Sequence, residues 1–195
     1  MVPALMDADW SVELGRDDPA LEFPWSSPDG SRRYIDLLQS PELVTEIPEA
    51  ARCPELAQYL IAMNAPTSAW QTVKCDVWPD NELGAGELIY NARLKFCSYV
   101  DLIARNAPAR FSFERHECFV KSAARQLSDD DEQPISCEFT VRRCWFHDEL
   151  AGDDLTPGFY VTFYLFGYGS DEAQARARWA EGLRRVTSIL IGLAP

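Results

Sequence analysis

The segment ISCEFTVRRCWF at residues 135–146 and the segment FYVTFYLFGY at residues 159–168 alternate apolar residues with polar or tyrosyl ones. Successive side chains of a β-strand point to opposite faces, so this period predicts two strands that each bury one face. The inward positions are Cys137, Phe139 and Val141 in the first strand and Phe159, Val161, Phe163 and Leu165 in the second. Together they predict part of an antiparallel sheet whose apolar face is covered by helices.

The residues before these two strands show the same succession of elements. They predict a helix from Pro54 to Met63, a strand from Ala69 to Trp78 with Val73, Cys75 and Val77 inward and Thr72 outward, a second strand from Leu88 to Ile103, and a helix capped by Ser112. A final helix capped by Ser170 follows the last strand, since serine favours N-cap positions. The order α-ββα-ββα predicts an α+β fold, with a mostly antiparallel four-stranded sheet and helices on one face.

The two halves of this pattern indicate an internal duplication of a ββα unit. Trp, Glu and Leu recur at identical spacing in residues 78–83 and 145–150, at the end of the first strand of each half. Strand alternation argues against the duplication, because it turns Trp78 outward and Trp145 inward. A β-bulge would reconcile the two.

The chain divides into an acidic, proline-rich arm at residues 1–53 and an α+β domain at residues 54–195. Residues 1–58 hold twelve acidic side chains, four basic ones and seven of the thirteen prolines. Proline at this density disfavours long helices and central strands. The arm also carries large aromatic residues, so we expect Leu21–Trp25 to be anchored as a strap on the main body, or else to anchor a partner subunit.

Composition excludes several classes of protein. The net charge of −13 repels a nucleic-acid backbone, so we expect no nucleic-acid partner. The N-terminal residues lack the pattern of a secretory signal, and the longest apolar run is far shorter than the ~20 residues of a membrane helix. Six cysteines are scattered singly, which is typical of reduced core thiols. We therefore expect a soluble cytoplasmic protein with no membrane association.

The face opposite the predicted core is basic and aromatic, although the whole protein is acidic. The candidate binding residues on this face are Arg93, Lys95, Arg142, Tyr160 and Tyr164. This composition also fits an ordinary solvated face of an antiparallel sheet, but arginine and tyrosine are enriched in interfaces and tyrosine in ligand sites. The cations would hold an anionic group while the tyrosines pack on its apolar part.

The sequence predicts no catalytic residue, no metal site and no cofactor. The turn at residues 167–170 lies between a strand and a helix, but Glu172 stands where a dinucleotide motif needs its third glycine. His116 and His147 each have a cysteine two or three residues away, a spacing that points the two side chains apart. Nothing identifies a group that would orient His147 as a base for a Cys97 or Cys144 nucleophile.

Clustered carboxylates at residues 129–132, 148–149 and 153–154 are typical of solvated turns. Only Glu138 is placed where a tyrosine could shield it for acid–base chemistry, so an enzyme is not favoured. The preferred hypothesis is a non-enzymatic binding module for a small anionic or amphipathic ligand. The alternative is a homodimeric interaction or structural protein without catalytic activity that uses the same sheet face or the arm.

Overall fold

The computed structural model describes residues 6–128, 134–147 and 155–195 of the chain. Its strands are β1 (Asp7–Glu13), β2 (Ala20–Phe23), β3 (Trp70–Asp80), β4 (Leu94–Ala104), β5 (Ile135–His147) and β6 (Leu155–Gly169). Its helices are α1 (Pro48–Arg52), α2 (Pro54–Met63), α3 (Ala107–Arg110), α4 (Phe113–Leu127) and α5 (Glu172–Leu190), with 3-10 helices at Pro41–Glu46 and Ala85–Tyr90. The predicted acidic turns at 129–132, 148–149 and 153–154 lie outside the described residues.

The strands form one mixed sheet in the order β1-β5-β6-β4-β3, and β2 also pairs with β5. Pairing is antiparallel between β3 and β4, β4 and β6, and β5 and β6, whereas β1 and β2 both run parallel to β5. The α+β fold with a mostly antiparallel sheet is confirmed. The prediction of four strands is wrong, because the N-terminal arm adds two more at the edge formed by β5.

The charged residues of the arm make β1 difficult to recognise as a strand from the sequence. Asp7, Asp9 and Glu13 alternate with Ala8 and Trp10 along the strand. The two apolar residues pack against the main hydrophobic core, and the carboxylates point to the other side of the sheet. An edge strand tolerates this pattern, since charged residues at an edge discourage pairing with a further chain.

Helices α2, α4 and α5 cover the same side of the sheet, which we call the helix face. Tyr59 of α2 contacts the ring of Phe163 at a centroid distance of 6.0 Å, and Phe119 of α4 contacts that of Phe139 at 6.3 Å. All four side chains are buried. The apolar alternation predicted for β5 and β6 therefore forms the centre of the core.

The last helix, α5, lies against the end of β6 with no room for a side chain between them. A Cβ atom on Gly167 would overlap the backbone nitrogen of Trp179 and the carbonyl oxygen of Ala175. Trp179 in turn donates a hydrogen bond from Nε1 to the Ser98 hydroxyl at 2.8 Å. A glycine at this position therefore allows α5 to pack directly on the strand backbone.

The predicted boundaries of two elements are wrong. The second strand begins at Leu94 rather than Leu88, because residues 85–90 form a 3-10 helix and Asn91 adopts a φ of 47°, which a strand does not contain. Asp171 rather than Ser170 caps α5, since its carboxylate accepts the Gln174 N–H at 2.9 Å. The cap at Ser112 is confirmed, because its hydroxyl accepts the Arg115 N–H at 3.3 Å.

A bulge in β3 changes which of its residues face the helices. The pairing register with β4 shifts between Thr72 and Lys74. Val73 therefore packs on the opposite side of the sheet from the main core, and Thr72 accepts a hydrogen bond from the Asn64 side chain of the segment after α2 at 2.6 Å. The predicted facing of Val73 and Thr72 is wrong, because simple alternation cannot anticipate an inserted residue.

The two halves of the domain occupy matching places in the sheet. Hairpins β3–β4 and β5–β6 lie side by side with their second strands adjacent, and a long helix follows each hairpin. The ββα duplication stays a prediction. Within the described residues, none of the helices combines the length and the apolar composition needed to cross a membrane.

Candidate functional site

The outer face of the sheet, opposite the helix face, is divided in two by the arm. At one end the arm residues Leu21, Phe23, Trp25 and Tyr34 pack over Val73, Ile103, Cys144, Phe146 and Tyr160, and we call this region the covered end. The Trp25 indole N–H donates to the carbonyl oxygen of Val73 at 2.8 Å. Leu21 and Phe23 belong to β2, which pairs with β5, so this part of the arm lies against the sheet.

The rest of the outer face, which we call the open face, carries a row of half-buried aromatic rings. The row runs from Trp78 to Tyr99, Tyr164 and Phe166, with consecutive ring centroids 6.3, 6.1 and 6.4 Å apart. These residues come from β3, β4 and β6, whose alternation turns them away from the helices. The predicted aromatic character of this face is therefore present in the fold.

Arg142 lies at the centre of the outer face, and its guanidinium group is neutralised within the fold. Its Nε and Nη2 atoms lie 2.7 and 2.6 Å from a carboxylate oxygen of Glu13 on β1. Its Nη1 atom donates to the hydroxyls of Thr162 and Tyr164, both at 2.9 Å. The residue is only 8% exposed. Arg142 and Tyr164 are thus brought together, but as a structural network.

Of the other three predicted site residues, Tyr160 is the cross-strand neighbour of Arg142, whereas Lys95 and Arg93 lie apart from it. Lys95 is held by Glu87, with Nζ 2.9 and 3.0 Å from its carboxylate oxygens, and by Asp80 at 3.7 Å. Arg93 precedes β4 and is exposed, outside the strand alternation that was expected to align it with Lys95. Tyr160 is buried in the covered end. The five residues do not form one cluster.

A buried carboxyl group lies next to this network. Asp101 on β4 is 5% exposed and accepts a hydrogen bond from the Thr162 hydroxyl at 2.7 Å. Burial raises the pKa of Asp101 to about 6, although the Thr162 hydrogen bond and the positive charges of Lys74 and Arg142 act in the opposite direction. The sequence placed Asp101 in a strand but gave no sign of its environment.

Lys74 is the cation of the open face that remains accessible. Its ammonium lies over the rings of Trp25 and Tyr99, at 5.5 and 5.7 Å from their centroids. The side chain is exposed, and among the described residues it has no carboxylate within ion-pairing distance. The sequence pattern turns Lys74 outward, but the proximity of Trp25 depends on the path of the arm and could not be predicted.

A cleft opens beside Lys74, between β3 and arm residues 31–49, and we call it the arm cleft. It has a volume of about 430 Å³, within the usual range for small-molecule sites. Its apolar lining includes Ile35 and Leu43 of the arm and Leu60 of α2. Charged residues of both signs line the cleft. The basic residues are Lys74, Arg32 and Arg33, and the acidic residues are Asp36, Glu46, Glu49 and Asp76.

Cys97, Cys144 and the two histidines are poorly suited to covalent chemistry. All six cysteines are unpaired, as expected for reduced thiols. Burial raises the pKa of Cys97 to about 12 and that of Cys144 further, which disfavours the reactive thiolate. His116 is buried between the rings of Trp70 and Phe159, and His147 is paired with Glu22 at 2.6 Å.

Within residues 6–128, 134–147 and 155–195, no three or more side chains converge in a way that could hold a metal ion. No protein-family profile, curated protein or solved structure matches this chain. The arguments about its function therefore rest on the geometry of the outer face.

Proposed function

We propose that the protein is a non-enzymatic binding module, and that its ligand is a small amphipathic anion bound at Lys74 and in the arm cleft. The observation that carries the proposal is the position of Lys74, an accessible cation flanked by the rings of Trp25 and Tyr99 at the mouth of the cleft. An ammonium that forms no ion pair with a carboxylate of the described residues is available to bind an anionic head group. The neighbouring rings would pack on the adjoining apolar part of the ligand.

Lys74 takes the role first assigned to the other cations of this face. Arg142 and Lys95 are each within 3 Å of a carboxylate oxygen, so an anionic ligand would have to displace Glu13 or Glu87. Arg93 lies away from the aromatic row. Lys74 offers its charge without breaking an existing ion pair, and this difference favours it as the contact for an anion.

The arm cleft would hold the apolar tail of the ligand. Ile35, Leu43 and Leu60 line its interior, so the tail would be removed from water. The carboxylates of the cleft favour a ligand whose single negative charge stays at the mouth, beside Lys74, rather than one with charge along its length. A medium-chain fatty acid has this arrangement of groups, and octanoate is a suitable probe.

The test is calorimetric titration of octanoate into the native protein and into Lys74→Glu. We expect the variant to bind about tenfold or more weakly, because a charge-assisted hydrogen bond contributes ~1.5–3 kcal/mol. Lys121→Glu is the matched control, since Lys121 is also an exposed lysine over an indole ring, that of Trp10 at 4.8 Å, but lies on α4. Equal affinity of Lys74→Glu and the native protein would refute the proposal.

A second candidate function is the assembly of two copies through the open face, and the aromatic row favours it. Trp78, Tyr99, Tyr164 and Phe166 form a continuous set of half-buried rings, a composition enriched at interfaces. Light scattering on the native protein and on the double variant Lys74→Glu with Tyr99→Ala separates the two functions. If the molar mass of the native protein is that of two chains and the mass of the variant is half as large, the dimer is supported. If the native protein has the mass of one chain, the dimer is excluded.

A further inference from the structure

A second cavity lies at the covered end of the outer face, and it shares the wall residues Tyr34 and Asp36 with the arm cleft. It has a volume of about 790 Å³ and is walled by four aromatic rings, Phe23 and Tyr34 of the arm and Phe111 and Phe146 of the body. We call it the aromatic pocket. Phe111 is 44% exposed, a large fraction for a phenylalanine ring that contacts another ring, that of Phe146, at 5.6 Å.

Arg110 supplies positive charge to the aromatic pocket. Its guanidinium carbon lies 5.5 Å from the centroid of the Phe146 ring, and its Nε atom donates to the carbonyl oxygen of Ala104 at 2.7 Å. Among the described residues the two Nη groups form no hydrogen bond or ion pair. Burial lowers the pKa of Arg110 below its ordinary value, although the side chains of Cys144 and Tyr34 act in the opposite direction.

A second arginine, Arg105, also has nitrogen atoms without a hydrogen-bond partner among the described residues. The Nε and Nη2 atoms of Arg105 are buried and have no hydrogen-bond partner among the described residues. Both Arg105 and Arg110 interact electrostatically with Tyr34, a wall of the pocket. Buried polar atoms are normally hydrogen-bonded, and a buried charge is normally paired. Arg110 lines the aromatic pocket and Arg105 does not, so Arg110 is the cation of the pocket that lacks an anionic partner among the described residues.

The other charged groups of the pocket do not provide that partner. Asp36 accepts the backbone N–H groups of Leu38 and Gln39 at 2.9 and 3.2 Å. His147 is paired with Glu22 at 2.6 Å. Asp36 therefore lies on the wall with its carboxylate already engaged by the backbone, and its negative charge would oppose a ligand that carries two charges.

We propose that the aromatic pocket binds a small monocarboxylate with an aromatic ring, its carboxylate held by Arg110. The planar fork of a guanidinium group matches a carboxylate, and the four rings provide edge and face contacts for a planar apolar group. This site shares Tyr34 and Asp36 with the arm cleft, but Arg110 lines only the aromatic pocket and Lys74 lines only the arm cleft. Variants of Arg110 and of Lys74 therefore test the two proposals separately.

The experiment titrates benzoate into the full-length protein labelled with nitrogen-15, and follows the arginine Nε–H resonances by NMR. We expect the Arg110 signal to move along a saturable binding curve. Benzamide, which has the same shape without the charge, should bind about tenfold or more weakly. Acetate should also bind more weakly, because it lacks the ring.

Three variants assign the contacts. Arg110→Gln should weaken benzoate binding by about tenfold or more. Arg110→Lys should weaken it less, because lysine keeps the positive charge but lacks the planar guanidinium group. Arg178→Gln is the matched control, because Arg178 also bonds a backbone carbonyl, that of Tyr168, but lies on α5. Phe111→Ala removes an exposed ring and should reduce the preference for benzoate over acetate while the melting temperature stays nearly constant.

Several results would overturn the inference. If benzamide binds as tightly as benzoate, the negative charge of the ligand does not contribute to binding. If inorganic phosphate binds more tightly than benzoate, the pocket prefers a more highly charged anion to a monocarboxylate. Unchanged benzoate affinity in folded Arg110→Gln, or an equal loss in Arg178→Gln, would place binding elsewhere. If Arg110→Gln does not fold, the benzoate-dependent shift of the Arg110 Nε–H signal in the native protein still decides the question, and its absence would overturn the inference.

Discussion

Replacing Asp101 by asparagine should stabilise the protein at neutral pH and leave its stability almost unchanged in acid. Asp101 is 5% exposed, and burial raises its pKa to about 6, compared with about 3.9 for an aspartate in an unfolded chain. Each pKa unit corresponds to about 1.4 kcal/mol. The ionised carboxylate therefore destabilises the folded state by ~3 kcal/mol at pH 7.

The sign of the pH dependence follows from proton binding. Between pH 4 and pH 6 the folded state holds the Asp101 proton more tightly than the unfolded state does, so this group makes stability fall as the pH rises through that window. Above pH 6 its contribution is constant. In Asp101→Asn this decline is absent, while the Thr162 hydroxyl can still donate to the amide oxygen.

The assay is thermal and urea unfolding of the native protein and Asp101→Asn at pH 4 and pH 7.5. For a chain of this size ~3 kcal/mol corresponds to about 6–12 °C in melting temperature, in favour of the variant at pH 7.5. Asp9→Asn on the exposed side of β1 is the control for the loss of one negative charge. A stability difference between Asp101→Asn and the native protein that is the same at both pH values would refute the reasoning.

Two further predictions concern packing. Gly167→Ala should lower the free energy of unfolding by ~1–3 kcal/mol or more in urea titrations, because its Cβ would overlap the backbone of α5 at Trp179, whereas Gly86→Ala, with open space around it, should change it little. Equal stability of the two variants would show that α5 is not held against β6. Deleting residues 1–30 should lower the melting temperature and increase binding of a hydrophobic dye, since Leu21, Phe23 and Trp25 cover the outer face. An unchanged melting curve would assign those side chains to an external partner.

Local alternation was sufficient to predict β5, β6 and the core residues between them. Phe139 and Phe163 face the helices because each lies in a strand of uninterrupted period two. The same rule failed at Thr72 and Val73, where one extra residue reverses the facing, and at Leu88, where the segment turns instead of extending. Both failures come from backbone geometry that the apolar pattern does not record.

The candidate site was harder to predict because its charges are paired over long distances in the chain. Arg142 and Glu13 are separated by 129 residues, so nothing in the sequence near Arg142 indicates that its charge is neutralised. The accessibility of Lys74 likewise depends on where the arm crosses the sheet. Arg105 and Arg110 flank the short segment NAPA, and sequence analysis gave no reason to connect them with aromatic residues of the arm.

The parallel pairing of β1 with β5 has a consequence for the order in which the chain can fold during synthesis. β1 comprises residues 7–13, and its backbone partners are residues 136–142. β1 must therefore wait for its backbone partner until residues 136–142 have been made. Contacts between distant parts of a chain slow folding, because a long loop must close before they are formed. A nascent chain that ends before residue 136 would expose Trp10 to solvent and to chaperones.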